Sequence, residues 1–148
     1  MQIMQKIKRV RWREQRGTAI VEAAMTVLGF LVLLLGIFEA GRVLNIQQVL
    51  TDASREGARL AVAPLSGTST LASAGEIESE VQRFLQAANI GSATTVVERP
   101  VSIVTGSVTT TSTRVRVSLP YTLLTLSMFS DLEITLVGQT LMRNETSE

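Results

Sequence analysis

The sequence predicts an α+β fold. A long N-terminal transmembrane helix extends into a stalk and packs on a small head, which has one amphipathic helix and a short antiparallel sheet of three or four strands. Three observations support this fold class. Residues 23–38 carry no charge. Beyond them, apolar residues recur at spacings of three and four, which is typical of a helix with one buried face. The C-terminal part is rich in Val, Ile and Thr with partial alternation, which is typical of strands.

Composition excludes several classes of function. Of the 148 residues, 45% are hydrophobic, and the mean hydropathy is +0.28, which is high for a small soluble protein. The chain has neither Cys nor His. Disulfide frameworks, thiolate metal sites, imidazole bases and histidine-ligated zinc are therefore excluded. The acidic residues at 76–80 and at 131–133 favour a solvated helix face and loop charge over acid–base or metal chemistry. We expect no enzyme activity, no cofactor and no metal site.

The basic residues are concentrated before the apolar run. Residues 1–17 hold six of them against Glu14, a net charge of +5, whereas the rest of the chain holds eight basic and twelve acidic residues, a net charge of −4. Because basic flanks of a membrane helix stay in the cytoplasm, this asymmetry predicts a cytoplasmic N-terminus. The apolar run and the sparse aromatics favour topology over nucleic-acid binding. The topology-setting residues are Lys6, Lys8, Arg9, Arg11, Arg13 and Arg16.

The apolar run, counted from Thr18 to Phe38, approaches the ~20 residues that a transmembrane helix needs. Three interpretations are open. The first is a cleaved secretory signal peptide, although its apolar core would be long and the sequence FEAGR is a poor cleavage site. The second is an uncleaved signal-anchor. The third is cleavage on the cytoplasmic side of the run, at Gly17.

The helix is expected to continue as a stalk to about residue 62, where Pro64 and a Ser/Thr/Gly-rich stretch end it. One apolar stripe follows this stalk. Its members are Val43, Ile46, Val49, Leu50, Ala53, Gly57, Leu60 and Ala61.

A second amphipathic helix is predicted over residues 75–90. Glutamates lie in its first turns, where the helix dipole favours negative charge, and Gly91 is placed to cap its C-terminal end. The predicted buried face consists of Ile77, Val81, Phe84, Leu85 and Ala88.

Four segments are expected to be strands: residues 94–98, 101–106, 112–121 and 132–143. In the third segment the alternation RVRV places the arginines on one face and the valines on the other. Gly106 and Ser107 mark a turn, and Pro120 is expected to end a strand or to lie at an edge.

Several short motifs stand together in the N-terminal half. Arg16 and Gly17 precede the apolar run, Glu22 is the fifth residue after that glycine, and the sequences FEAGR and ASREGAR occupy 38–42 and 53–59. Together these motifs resemble the TadE-like family of pilin-related proteins, in the tight-adherence (Tad, or Flp) branch of type IV pilus systems. The ending RVRVSLPYTLLTL…LEITLVGQTLMRNE is similar to that family's strand, Pro-aromatic turn and closing strand.

The resemblance implies a role for three residues. An inner-membrane aspartyl peptidase would cut after Gly17, so that Thr18 becomes the N-terminus and Glu22 the fifth residue of the mature chain. In pilins such a glutamate is expected to meet the α-amino group of a neighbouring subunit. A carboxylate in hydrocarbon is expensive unless it is paired, which agrees with this role. The alternative is an interfacial Glu22 whose carboxylate reaches the lipid headgroups.

The function implied by the resemblance is a minor pilin or pseudopilin, a component or initiator of a Tad/Flp-type pilus used in surface adhesion. Its partners would be other pilin subunits, the inner-membrane assembly platform, the prepilin peptidase and membrane lipid, with no nucleic acid. It would cross the cytoplasmic membrane once, with its head outside, and enter the pilus on incorporation. The alternative is an uncleaved bitopic assembly factor of the same machinery. An anchored enzyme is disfavoured because the chain has no His or Cys.

The chain is expected to comprise a cytoplasmic prepilin-type leader (1–17), a transmembrane and stalk helix (18–63) and an extracytoplasmic α+β head domain (64–148).

Two further features lie near the end of the apolar run. Gly36 and Ala40 form a small-xxx-small pair, which can bring two helices close together, although such pairs are common by chance. Glu39 is expected to hold an ordinary boundary position, where its carboxylate reaches water or pairs with Arg42.

Overall fold

The computed structural model describes residues 2–63, 71–91, 93–123 and 133–144, without the side chains of residues 2–16, 105 and 108. It confirms the predicted α+β fold, with a long N-terminal helix, a second short helix and a three-stranded antiparallel sheet. The chain divides into two compact units, Met1–Ala40 and Gly41–Glu148; the second is called the α+β unit below. The elements are α1 (Gln2–Val62), α2 (Ala74–Ala87), β1 (Thr94–Thr105), β2 (Val108–Thr122) and β3 (Glu133–Arg143).

Helix α1 begins at Gln2, well before the predicted start at residue 18. The early start has a local cause, because Gln, Met, Lys and Arg are good helix formers and no proline precedes Pro64. Gly17 weakens this stretch but does not end the helix. The C-terminal end of α1 at Val62 agrees with the prediction, since a residue that precedes proline is disfavoured in the α conformation.

The predicted stripe on α1 packs into the core of the α+β unit. Leu50, Ala53 and Ala61 are fully buried, and Gly57 is also buried. The remaining members are partly buried against the same cluster: Val43, Ile46, Val49 and Leu60. The buried surface is wider than the stripe, because Ser54 and Ala58 are buried as well.

Helix α2 starts with a capping box. The Ser73 hydroxyl accepts a hydrogen bond from the Glu76 amide at 3.3 Å, and the Glu76 carboxylate accepts one from the Ser73 amide at 2.7 Å. This exchange satisfies two amides that the first turn of a helix leaves without partners. Ile77, Val81 and Leu85 form the buried face, as predicted.

The C-terminal end of α2 differs from the prediction at two residues. The Asn89 amide donates to the Gln86 carbonyl, and the Ile90 amide donates to the Leu85 carbonyl, which is the Schellman pattern. Asn89 takes the left-handed conformation that this cap requires, with φ of 60°. Gly91 therefore does not cap the helix. Ala88 is exposed at the C-cap rather than buried.

The sheet has the order β1-β2-β3, and both pairings are antiparallel. Two predicted strands, 94–98 and 101–106, are one strand, β1, with a register shift between Glu98 and Val101. Pro100 lies inside this irregularity and on an edge strand, the two places where a sheet tolerates proline. Four candidate segments therefore give three strands.

Two turn and edge predictions concern β2. The turn at Gly106 and Ser107 is confirmed: the two residues join β1 to β2, and Gly106 has φ of 64°. Pro120 does not end β2, which continues to Thr122. At Pro120 the strand pairs only with β3, because pairing with β1 extends no further than Ser118. Pro120 is therefore locally at an edge.

The two faces of the sheet differ as the RVRV alternation predicts. Val115 and Val117 are fully buried beneath the helices, whereas Arg116 is exposed and Arg114 half-exposed on the other face. Arg114 forms an ion pair with Glu98, its cross-strand neighbour, at 2.8 Å.

Backbone contact between α1 and β3 is made at a glycine. A Cβ added to Gly138 would overlap the carbonyl of Leu50 and lie 2.5 Å from the amide nitrogen of Thr51. Gly57 allows a similarly close contact between α1 and α2, because a Cβ added there would lie 2.6 Å from the side chain of Val81. Real Cβ atoms do not approach so closely. The packing of α1 therefore requires a glycine at 138, where the neighbour is backbone, whereas at 57 the Val81 methyl group would have to move.

Polar side chains fix the position of α1 on β3. The side-chain amide of Gln47 donates to the Val137 carbonyl at 2.5 Å, which satisfies a backbone group of the sheet. The hydroxyls of Ser54 and Thr140 lie 2.8 Å apart in a hydrogen bond. Unlike apolar contacts, these bonds have a preferred direction and separation, so they specify one register between helix and strand.

Three carboxyls of the α+β unit have pKa values below the ordinary 4.5. The hydrogen bonds from Ser73 lower the pKa of Glu76. The hydrogen bonds from Arg59 and from Arg83 lower the pKa of Glu56 and of Glu80, respectively. Each group lies at the surface, so the contribution of each to stability is small.

Replacing Gly138 with alanine should destabilise the α+β unit by about 3 kcal/mol, the upper end of the usual cost of overpacking, because the new methyl group meets rigid backbone. Thermal unfolding of the full chain in detergent, followed by circular dichroism, measures this loss. Gly75→Ala is the matched control, since a Cβ there meets nothing within 4 Å and alanine favours the helix. An unchanged unfolding midpoint for Gly138→Ala would contradict the close approach.

The capping box should make α2 sensitive to acid. A carboxyl whose folded pKa is lowered contributes stability above its unfolded pKa and loses this contribution as the pH falls. Protonation of Glu76 below about pH 4.5 should therefore destabilise α2. Glu76→Gln keeps the cap but does not titrate, and it should flatten this decline. Glu78→Gln, outside the capping box, should leave the decline as in the wild type. Hydrogen exchange of the α2 amides between pH 6 and pH 3 distinguishes these results.

Candidate membrane and assembly segment

The first unit is a helix whose side chains from Gly17 to Phe38 are all exposed. The large apolar side chains range from 44% exposed at Leu34 to 71% at Met25. At ~1.5 Å per residue this stretch is about 33 Å long, enough to cross the ~30 Å hydrocarbon core of a bilayer. Residues Gly17–Val62 contain an unburied window that is apolar enough to span a membrane. We call residues 18–38 the apolar segment.

Glu22 is the one charged residue of the apolar segment. It is exposed, and its backbone carbonyl accepts a hydrogen bond from the Thr26 hydroxyl at 2.9 Å, within the same helix. Thr18 lies four residues earlier and is also exposed. Residues four apart face the same side of a helix, about 6 Å from each other. The helix thus presents Thr18 and Glu22 on one side, one turn apart.

The Gly17–Thr18 bond lies within α1, at the start of the apolar segment. The six basic residues before it also belong to α1 by their backbone, and their side chains lie outside the described part of the structure. Their topology-setting role therefore stays a prediction, as does cleavage at this bond.

Gly36 and Ala40 lie one turn apart near the end of the first unit, and both are exposed. A Cβ added to Gly36 would meet nothing within 4 Å. The pair therefore leaves a shallow notch in the helix surface, where another helix backbone could approach closely. The proposed helix–helix contact itself stays a prediction.

Of the two alternatives expected for Glu39, access to water is wrong, and pairing with Arg42 stays a prediction. Glu39 is only 4% exposed, although every residue of the apolar segment before it is exposed. A buried carboxylate requires a partner, and Glu39 does interact with another group. The sequence suggested an ordinary boundary position because the residue follows a run that lipid would cover.

A second unexpected contact involves Arg42 and Tyr121. The Arg42 guanidinium lies over the Tyr121 ring, 5.7 Å from its centroid, in cation–π geometry. Tyr121 is nearly buried and belongs to the core of the α+β unit. The sequence offered one signal, since Tyr121 is the single tyrosine and follows Pro120, but it did not indicate the partner.

Several weaker candidates have little structural support or none. Asp131 lies outside the described residues, and Glu133 is exposed at the start of β3. The sequence Asn144-Glu145-Thr146 matches a glycosylation sequon. Asn144 accepts a hydrogen bond from the Thr113 hydroxyl at 2.8 Å, and residues 145 and 146 lie outside the described residues. Within the described ranges, no three acidic side chains are grouped so as to hold a metal ion.

Comparison with known families finds one match. Residues 17–59 match the family model described as TadE-like protein. This segment contains Gly17, Thr18, Glu22, Gly36 and Ala40, so the match confirms the resemblance where the candidate residues lie. It relates the chain to proteins associated with Tad pili. No curated protein and no solved structure matches the chain.

Proposed function

We propose that the chain is a TadE-like minor pilin or pseudopilin, a component or initiator of a Tad/Flp-type pilus used in surface adhesion. The observation that carries this proposal is the exposed apolar segment with its one carboxylate, Glu22, five residues after Gly17. This arrangement falls within the segment that matches the TadE-like model. The chain would act through assembly rather than catalysis, and it would need no cofactor.

The exposed surface of the apolar segment requires an apolar surrounding. Thirteen large apolar side chains between Ile20 and Phe38 are exposed, and exposure of this extent marks a membrane or protein contact. Lipid would supply that surrounding before assembly, and the helices of other pilin subunits would supply it in the filament. The basic residues before Gly17 would keep the N-terminus in the cytoplasm, and the α+β unit would then lie outside the cytoplasmic membrane.

Glu22 would select the position of a subunit during assembly. A carboxylate within the bilayer costs free energy unless it is paired, and the apolar segment itself provides no cation. Cleavage after Gly17 by a prepilin peptidase would create an ammonium on Thr18 of each subunit. Pairing between Glu22 of one subunit and the ammonium of its neighbour would remove the cost in one register only.

An uncleaved bitopic assembly factor of the same machinery is the alternative. It would use the same apolar segment to remain in the membrane with the inner-membrane assembly platform. In that case Gly17–Thr18 stays intact, and the carboxylate of Glu22 faces the lipid headgroups instead of a neighbouring ammonium. The two proposals therefore differ at a single peptide bond.

Mass spectrometry of sheared pili should find the chain, with Thr18 as its N-terminus. The same measurement on membranes from cells that lack the prepilin peptidase should find a chain that starts at Met1. A chain that starts at Met1 in cells with an active peptidase, and that is absent from the pili, would contradict the pilin proposal and support the alternative.

Glu22→Ala should insert into the membrane at least as well as the wild type, because it removes a charge from the apolar segment. It should nevertheless reduce the amount of the chain in sheared pili at least about tenfold, the effect of losing one desolvated charge pair. Thr26→Ala is the matched control, since among the described residues the Thr26 hydroxyl bonds to the carbonyl one turn earlier and to no other group. Equal incorporation of the Glu22→Ala and Thr26→Ala chains would exclude the pairing role.

A further inference from the structure

One face of the sheet in the α+β unit is not covered by α1 or α2. On this face Arg116 has Val96 and Gln139 as its cross-strand neighbours, and in the next row Arg114 lies between Glu98 and Leu141. We call these six residues, together with Arg143 at the end of β3, the open sheet face. An antiparallel sheet often leaves one face to water. This one also exposes apolar side chains, with Val96 43% and Leu141 42% exposed.

The open sheet face carries an excess of positive charge. It holds Arg114, Arg116 and Arg143 against Glu98, which is paired with Arg114. The same side of the sheet also carries Glu133, at the far end of β3, so three arginines stand against two carboxylates. Arg116 donates only a long hydrogen bond of 3.3 Å to the Gln139 side chain. Arginines interspersed with exposed apolar side chains are the composition that protein interfaces favour.

The opposite side of the same unit carries an excess of negative charge. Helix α2 buries Ile77 in the core near Gly57 of α1, exposes Glu76 and Glu78, and leaves Glu80 half-buried beside Arg83. Arg83 is bound to Glu80, so Glu78 and the capping Glu76 supply the net negative charge of α2. The neighbouring Glu56 and Arg59 of α1 form an ion pair with each other and add no net charge. We call the outward residues of α2 the acidic helix face.

We propose that the open sheet face of one copy binds the acidic helix face of a second copy, so that the α+β units stack head to tail. The two faces have opposite charge and lie on opposite sides of one unit. A contact between two different faces leaves one of each free, so it can repeat along a row of copies. Val96 and Leu141 would supply apolar contact area, and the opposite charges of the two faces would orient one copy on the other.

This inference rests on the proposed pilin role, because a filament is where a repeating contact would be used. It nevertheless involves a different part of the chain from the apolar segment. Glu22 and Thr18 belong to the first unit, whereas both stacking faces belong to residues 41–148. Failure of one contact can therefore be measured separately from failure of the other.

The test is disulfide cross-linking between two tagged full-length copies made in the same cells. The chain has no native cysteine, so each copy carries one introduced thiol: Thr94→Cys beside the open sheet face, or Ser79→Cys beside the acidic helix face. Both positions are exposed. Oxidation of the membranes and of the sheared pili should join the two copies by a disulfide, which gives a mixed dimer that carries both tags.

Charge reversal makes the test specific. Arg116→Glu with Arg143→Glu in the Thr94→Cys copy should reduce the mixed dimer about tenfold, because like charges then face each other. Glu78→Lys with Glu80→Lys in the Ser79→Cys copy should do the same. Combining the two reversed copies should restore the dimer, which also shows that both variants fold.

The matched control is Arg55→Glu in the Thr94→Cys copy. It changes the charge by the same amount per residue on α1, away from the open sheet face, and should leave the dimer yield unchanged. The proposal is overturned if combining the two charge-reversed copies does not restore the mixed dimer. It is also overturned if Arg55→Glu lowers the dimer yield as much as the reversal on the open sheet face does, or if the thiols link only to another protein. Chains that start at Thr18 in sheared pili without any cross-link would overturn the stacking and leave the pilin role standing.

Discussion

The close approach of α1 to β3 at Gly138 is the constraint on which the rest of the α+β unit depends. The helix backbone at Leu50 lies where a Cβ on residue 138 would be, so the helix rests on the sheet itself rather than on a layer of side chains. This depth allows Gln47 to reach the Val137 carbonyl and Ser54 to reach Thr140. Both hydrogen bonds would be lost if the helix were displaced by the width of one methyl group, since hydrogen bonds weaken steeply beyond their preferred length.

The same packing explains why small residues follow one another on α1. Ala53, Gly57 and Ala61 are buried one turn apart, where larger side chains would separate the helix from α2 and from the sheet. Val81 and Val115 fill the space over Gly57. The apolar segment of the same helix follows a different rule. Its leucines, valines and phenylalanines are large and exposed on all sides, as a surrounding of lipid or other helices requires.

The sequence predicted the fold well where one periodic pattern decided the structure. The stripe on α1, the buried face of α2 and the alternation around Val115 all depend on spacing alone. The sequence did not predict the features that depend on contacts between residues far apart in the chain. Pro100 suggested a break between two strands, but pairing with β2 continues on both sides of it. The position of Arg42 over Tyr121 is set by tertiary packing within the α+β unit, which no local spacing encodes. A glycine within a strand is often a place where another backbone approaches closely, but Gly138 does not indicate which element approaches.

In the proposed pilin role, the leader and Glu22 together would make assembly depend on cleavage. Before cleavage the residue that follows Gly17 has an amide nitrogen, which carries no charge and is already part of the helix backbone. The carboxylate of Glu22 then has no partner in a neighbouring subunit, and its cost in lipid opposes deep insertion. Cleavage would supply a cation on every subunit and would remove the basic leader, which would otherwise hold the helix end in the cytoplasm. Only the cut chain would then gain free energy by leaving the lipid for a neighbouring helix. The carboxylate that destabilises the helix in the membrane would in this way give assembly its direction.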